Sequence, residues 1–166
     1  MATNIVPDLA GGRFGVRGLT TAARDDLVAQ LTECAHGVAR ATGTTVEVTP
    51  ASGGYQHVRD NAALSGTFAR HIAESGVTLV EPAPGVFLGS SDIGDVSNVV
   101  PAIHPFVAIT DADQSDHTPE FAAAAAGPRG RAAMLAAARA LTSTAVDLLT
   151  WPDLLDQAWR DFHAAG

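Results

Sequence analysis

His117 is the side chain in this sequence whose type and surroundings best suit metal chemistry. A neutral imidazole is a common metal ligand, and the neighbouring Asp116 carboxylate could orient the ring. One histidine does not make a zinc site, because such sites need three or four protein ligands. From spacing alone, the favoured interpretation is therefore a surface histidine just ahead of a helix start.

A polar turn between apolar stretches, residues 89–97, is the second candidate. It contains Gly89, Ser90, Ser91 and Asp92, and the backbone amides of such a turn can bind a substrate carbonyl or carboxylate. The competing interpretation is that Ser91 or Asp92 caps a helix, since both residue types favour that position. On composition alone, capping is the favoured interpretation.

Arg17 is the third candidate, because it ends a predicted strand and its guanidinium could bind a carboxylate through two hydrogen bonds. The competing interpretation is that Arg17 is an ordinary surface arginine, which is more common. The sequence contains no P-loop, dinucleotide-binding fingerprint, HExxH, paired-cysteine zinc pattern or GxSxG motif. No nucleotide-binding or serine-hydrolase function is therefore indicated.

Composition restricts the classes of function further. The 166 residues include ten arginines, no lysine and 18 acidic residues, which gives a net charge of −8. Nucleic acid is an unfavourable partner for such a chain, because phosphate binding requires clustered positive charge. Residues 1–15 lack the features of a signal peptide, and no segment is expected to reach the roughly 18 apolar residues that span a bilayer. We expect a cytoplasmic protein with no nucleic-acid or membrane partner.

Hydrophobic periodicity and capping residues predict the helices that would position the candidates. A helix over residues 22–42 is expected to start after Thr20 and to stop at Gly43, with Cys34 in its apolar, core-facing stripe. Three more helices are predicted, over residues 61–75, 130–149 and 153–164. The first of them would carry Leu64, Phe68, His71 and Ile72 on one face and end at Gly76. A short helix with Pro119 in its first turn is expected after Thr118.

Alternating and apolar runs predict the extended parts of the chain. Strands are predicted at residues 13–17, 44–49 and 86–88, and buried extended segments at residues 98–101 and 105–109. The breaker-rich residues 50–54 form the best domain boundary. Together with the helices, these strands predict an α/β protein.

These segments, in their order along the chain, resemble the amidohydrolase branch of the aminoacylase and carboxypeptidase G metallopeptidase family. Residues 4–8 and 14–17 are similar to the lid-domain signature, in which an Asn precedes a Pro and an Arg ends the next strand. Residues 89–97 resemble the substrate-binding turn of that family, and residues 117–121 resemble its final metal-ligand motif. Residues 103–106 are similar to the dipeptidase-like subgroup.

The resemblance implies a two-part α/β fold. Residues 1–52 would be the second half of a ferredoxin-like α+β lid, through which the intact enzyme forms a homodimer. Residues 53–166 would be the C-terminal part of a dinuclear-zinc aminopeptidase-like α/β catalytic domain.

The resemblance also implies a role for each matched residue. His117 would bind one of two divalent metal ions, with zinc favoured and manganese or cobalt as alternatives. Asn4 and Arg17 would hold the carboxylate or carbonyl of the substrate, and Gly89 to Asp92 would line the pocket. The implied reaction is hydrolysis of an amide or peptide bond in an N-acyl amino acid or a dipeptide.

The sequence departs from the family pattern at the catalytic centre. The other metal ligands, the general-base glutamate and the lid histidine have no counterpart here, so no residue is assigned a catalytic role. We expect the C-terminal part of such an enzyme, inactive alone and either marginally folded or in need of a partner. The alternatives are a non-catalytic remnant that acts as an interaction or dimerisation module, and a small-molecule binder that uses Arg17 and the 89–97 turn.

Overall fold

The computed structural model describes residue 4 and residues 6–50, 53–80, 91–111 and 116–164. The described residues form six helices: α1 (Thr21–Thr42), α2 (Ala62–Glu74), α3 (Ile93–Ser97), α4 (Pro119–Ala126), α5 (Pro128–Thr150) and α6 (Pro152–Ala164). The chain divides into two compact units, Met1–His57 and Val58–Gly166.

The first unit is built on α1, and its ends are set by the residues that the sequence indicated. The backbone N–H of Ala23 donates to the Thr20 side chain at 3.1 Å. Gly43 ends the helix in the left-handed region, with φ of 68°, which glycine adopts without the strain that a Cβ would cause. Both predicted helix signals are confirmed.

Residues 53–57 belong to the first unit because four hydrogen bonds hold them to the start of α1, two of which show the pattern. Arg24 Nη1 donates to the backbone oxygen of Tyr55 at 2.7 Å, and the backbone N–H of Thr21 donates to His57 Nδ1 at 3.2 Å. The division between the compact units therefore falls after His57. The lid and catalytic domains predicted on either side of residue 52 stay a prediction.

The apolar stripe of α1 is exposed. Val38 is 63% exposed and Leu27 is 44% exposed, and Cys34 is an exposed free cysteine. The prediction that Cys34 packs in a core is wrong, because no described element of this unit covers that face of α1. Among the described residues of the unit, Ala39 alone is buried.

The second unit has a core between α2 and α5. The side chain of Asn61 caps α2 by accepting the backbone N–H of Leu64 at 3.2 Å. Leu64, Phe68 and Ile72 then recur every four residues on the buried face of the helix. Phe68 and Ile72 form a cluster with Ala140 of α5, so the shared face that the periodicity of α2 predicted is the buried one.

Short side chains on α5 and apolar side chains outside the helices complete this core. The buried stripe of α5 contains Ala136, Ala140 and Thr144, and small residues at a helix contact let the two helix axes approach closely. Three side chains that are not helical pack against the cluster, namely Val77, Ile103 and Val107. α6 packs against both α2 and α5, and α4 packs against α5.

α4 and α5 meet at a tight corner. The backbone N–H of Phe121 donates to the Thr118 side chain at 3.1 Å, and Pro119 lies in the first turn of α4, as predicted. A Cβ at Gly130 would lie 2.5 Å from the backbone oxygen of Ala125. Glycine is therefore required where α5 passes the end of α4.

The described residues contain no β-strand. The predicted strands at residues 13–17 and 44–49 and the segment 105–109 are neither helix nor strand in the structure, and the strand predicted at 86–88 lies outside the described residues. A strand forms only when a neighbouring strand supplies hydrogen-bond partners, and no such neighbour lies within the described ranges. The α/β fold stays a prediction.

Residues 98–101 differ from the buried extended segment that the sequence predicted. Asn98 caps the C-terminus of α3 in a helical conformation, and the backbone N–H groups of Val99 and Val100 both donate to the Val96 oxygen at 3.0 Å. Val99 is 68% exposed. The prediction is wrong here because the apolar pair follows a helix turn, which the alternation pattern cannot reveal.

α5 is the one helix among the described residues that is long and apolar enough to cross a membrane. An 18-residue window within its 23 residues has a mean hydropathy of 1.3. The expectation that no segment is long and apolar enough to span a bilayer is therefore wrong for α5. Long helices in protein cores pass the same test, and α5 packs against three other helices. The finding does not by itself indicate a membrane protein.

Candidate functional site

The turn that carries Ser91 and Asp92 leads directly into α3. Asp92 occupies the N-cap position, but its side chain accepts no backbone N–H there. The Ser91 hydroxyl instead accepts the N–H of Ile93 at 3.3 Å and donates to Asp92 Oδ1 at 3.4 Å. The Asp92 residue is exposed. Capping therefore explains Ser91, whereas the Asp92 carboxylate faces solvent, where a ligand can reach it.

Gly89 and Ser90 are the other two predicted substrate-binding residues, and both lie outside the described residues. Their predicted role stays a prediction. The described part of the turn begins at Ser91.

Ser97 fixes the other end of α3. It is fully buried, its hydroxyl donates to the backbone oxygen of Gly94 at 3.1 Å, and it accepts the backbone N–H of Arg59 at 3.0 Å. Asn98 Nδ2 donates to the same Gly94 oxygen at 2.8 Å. A buried hydroxyl with both partners present stabilises one arrangement, because losing either partner leaves a polar group unsatisfied.

His117 lies immediately before the cap of α4 in a left-handed backbone conformation, with φ of 57°. Such a conformation costs a residue other than glycine about 1 kcal/mol. The His117 side chain is 95% exposed, and its Nε2 lies 3.8 Å from Asp116 Oδ2. This separation is too long for a hydrogen bond, so Asp116 does not orient the ring as the sequence suggested.

The described residues do not by themselves fit a metal centre. Within the described ranges, no three or more His, Cys, Asp or Glu side chains come close enough to hold a metal ion. Zinc sites need three or four protein ligands, and His117 supplies one. If His117 binds a metal, the remaining ligands come from outside the described residues.

Asn4 and Arg17 lie in the first unit, and both are exposed. Within the described part of the chain, the Arg17 guanidinium forms no hydrogen bond and no ion pair. An arginine without a protein partner can bind a carboxylate through two parallel hydrogen bonds. This geometry is compatible with the predicted role of Arg17 and with an ordinary surface position.

A buried polar cluster joins α2 to α5 in the second unit. Asp147 Oδ2 accepts hydrogen bonds from Arg70 Nη2 and interacts with His71 Nε2, both at 2.7 Å. The His71 side chain is only 10% exposed, its Nδ1 has no hydrogen-bond partner among the described residues, and this atom lies 3.7 Å from Glu74 Oε2. The hydrogen bond to His71, and then that to Arg70, lowers the pKa of Asp147 below its ordinary value of 3.8.

Sequence reasoning placed His71 on the buried face of α2 but missed Asp147. A signal was present, because Asp147 shares the buried stripe of α5 with Ala136, Ala140 and Thr144 at helical spacing. A carboxylate on a stripe of small residues predicts a buried partner of opposite charge.

The chain is similar along nearly its whole length to two known dipeptidases. The relatives are the Xaa-Arg dipeptidases of Mus musculus and Homo sapiens, each 29% identical to this chain over 164 residues. The matched region covers 96% of this chain and 37% of each relative, so the chain spans little more than a third of their length. No protein-family model matches the chain.

Proposed function

We propose that this chain is the C-terminal part of a dipeptidase-like metallohydrolase, which hydrolyses small peptides when further residues complete its catalytic centre. The observation that carries the proposal is the similarity to two Xaa-Arg dipeptidases over 96% of the chain. The geometry is compatible with a partial site, because His117 is exposed and the described residues bring no three His, Cys, Asp or Glu side chains together.

The proposed substrate is a dipeptide with a C-terminal arginine, with N-acyl amino acids as the related class. Arg17 and Asn4 would bind the substrate carboxylate or carbonyl, and the turn at Ser91 and Asp92 would contact the substrate backbone. His117 would supply one ligand to a divalent metal ion, zinc first and manganese or cobalt as alternatives. Such an ion would supply Lewis-acid activation of the amide carbonyl and of a water molecule.

The native product isolated from its source cells provides the test. We would capture it with an antibody to its C-terminal peptide, measure its intact mass, and assay hydrolysis of arginine-ending dipeptides and N-acetyl amino acids. The expected result is dipeptide hydrolysis by a species heavier than 17.0 kDa, or by a complex of this chain with a second polypeptide. An isolated 17.0 kDa chain without a partner and without hydrolysis would overturn the proposal.

A pair of histidine variants tests the role of His117. His117→Ala should abolish hydrolysis, whereas His104→Ala should leave it within about twofold. His104 is a suitable control because it is also exposed, lies in the same unit, and contacts the ring of Phe106 at 5.2 Å rather than any group of the proposed site. Full hydrolysis by His117→Ala would contradict the metal-ligand assignment alone.

A non-catalytic interaction or dimerisation module is the second candidate function. It is favoured by the first unit, in which the apolar stripe of α1 is exposed and Ala39 is the one buried residue among those described. Exposed apolar stripes on a helix are typical of surfaces that bind another protein. A native 17.0 kDa chain that forms a stable complex but hydrolyses no peptide would support this candidate.

A further inference from the structure

A polar seam connects the start of α2 with the C-terminal end of α6. Asn61, which is 3% exposed, donates from Nδ2 to the backbone oxygen of Ala158 at 2.8 Å. Two residues later, the backbone N–H of Ala63 donates to Asp161 Oδ2 at 3.1 Å. The segment before α2 is therefore held against α6 by specific hydrogen bonds.

Arg59 makes two further contacts to the same end of α6. Its Nη2 donates to the backbone oxygen of Phe162 at 2.7 Å, and its guanidinium carbon lies 4.7 Å from the centre of the Phe162 ring. Phe162 is within the last turn of α6, where backbone oxygens have no partner in the helix. An arginine there satisfies one such oxygen, complements the negative end of the helix dipole, and gains a cation–π contact.

The backbone of Arg59 contacts the candidate substrate turn at the same time. Its N–H donates to the buried hydroxyl of Ser97, which in turn donates to Gly94 within α3. Arg59 thus connects α6 to α3, the helix that follows Ser91 and Asp92. The side chain fixes its position against α6, and its backbone fixes α3.

We propose that Arg59 is a positioning residue, which sets the placement of the Ser91–Ser97 turn by anchoring it to the C-terminal end of α6. The effect of Arg59 on substrate binding rests on the proposed function, because this turn is the one that would contact the dipeptide backbone. The joining of α6 to α3 through Arg59 does not depend on that function.

Amide hydrogen exchange on the full chain tests whether Arg59 connects α6 to α3. Arg59→Met keeps the aliphatic length of the side chain but loses the donor to Phe162, and it should raise exchange at residues 93–98 by about tenfold. Exchange in the middle of α5 should stay unchanged. Arg59→Lys, which retains a charged donor, should restore most of the protection.

Arg160→Met is the matched control, because Arg160 is an exposed residue of α6 whose guanidinium donates to Gln157 of the same helix. It should leave exchange at residues 93–98 unchanged. Uniform acceleration throughout the second unit in Arg59→Met, or no acceleration at residues 93–98, would overturn the proposal. A failure of Arg59→Lys to restore protection would overturn it as well.

Kinetics of the native dipeptide-hydrolysing species test the consequence. Arg59→Met should raise KM for an arginine-ending dipeptide severalfold with little change in kcat, because a displaced turn weakens substrate binding without touching the reacting atoms. An unchanged KM together with faster exchange at residues 93–98 would overturn the role in substrate positioning. If the wild type hydrolysed no dipeptide, the proposed function would be contradicted. The exchange experiment would still test whether Arg59 connects α6 to α3.

Discussion

The two units of this chain differ in how far they bury their apolar side chains. The second unit buries Phe68 and Ile72 against Ala140, with 3%, 0% and 1% of each residue exposed. In the first unit, Val38 and Leu27 of α1 remain 63% and 44% exposed. Both units have helices with well-formed caps, so the difference does not arise from local structure.

The difference shows that a capped amphipathic helix is not a folded domain. Most helix stability in proteins comes from packing of the apolar face against other elements, and the described part of the first unit contains no second element that covers α1. The described residues of the first unit therefore supply little packing for the apolar face of α1. The second unit has a core of its own, although a small one.

Loss of Phe68 should have the largest effect. Phe68→Ala removes a buried ring from the α2–α5 core and should lower the free energy of unfolding by about 3–5 kcal/mol. Urea denaturation followed by tryptophan fluorescence measures this directly, because Trp151 and Trp159 both lie in the second unit.

Phe106→Ala is the control for this prediction. Phe106 is 72% exposed in the same unit, and its removal should change the free energy of unfolding by less than about 0.5 kcal/mol. Equal losses in the two variants would show that the second unit has no specific core in solution, and the contrast between the units would disappear.

Acid should have an intermediate effect, through Asp147. Its pKa in the folded chain is lowered by His71 and Arg70, so the folded state binds its proton less readily than the unfolded state. The stabilisation is fully present above the ordinary pKa of 3.8 and is lost as the pH falls through the lower folded value. The urea midpoint of the wild type should therefore fall in this acidic range.

Asp147→Asn should lower the urea midpoint at neutral pH, because Arg70 and the buried His71 lose their anionic partner. The same variant should show a smaller further loss on acidification than the wild type. Asp156→Asn, at an exposed position of α6, should follow the wild-type curve. Parallel acid profiles for Asp147→Asn and the wild type would rule out the cluster as the source of the pH dependence.

The smallest effect is expected on α1. Val38→Ala shortens an exposed side chain and should change the stability of α1 in the isolated chain by less than about 0.5 kcal/mol, as measured by amide exchange within that helix. A loss near 1.5 kcal/mol would mean that the stripe is covered in solution. Sedimentation would then show whether a second copy of the chain covers it.

Helix ends were predictable from the sequence because their signals are local. Thr20 and Thr118 each cap the helix that follows them, and Gly43 and Gly76 both have positive φ, of 68° and 77°. Each signal operates within a few residues, so no knowledge of tertiary structure is needed. The burial of Leu64, Phe68 and Ile72 followed from periodicity for the same reason.

The remaining features depend on residues that are distant in the sequence. Asp147 is buried because Arg70 and His71, more than 70 residues earlier, come to the same oxygen. Cys34 is exposed because no described element of the first unit covers its face of α1, and an apolar stripe in the sequence cannot show whether it is covered. The site roles of Asn4, Arg17, Asp92 and His117 came from resemblance and stay predictions, since residue spacing cannot show which groups converge.

Gly130 allows the close approach of α4 to α5, and α4 begins just after the candidate metal ligand His117. α4 starts two residues after His117, and its terminal turn lies against Gly130, where a Cβ would meet the oxygens of Ala125 and Ala124 at 2.5 and 2.6 Å. Any side chain at residue 130 would push α4 away from α5, and the imidazole would move with the start of that helix. Sequence variation at residue 130 among relatives would therefore report on how strictly the position of His117 is required, although the two residues make no contact with each other.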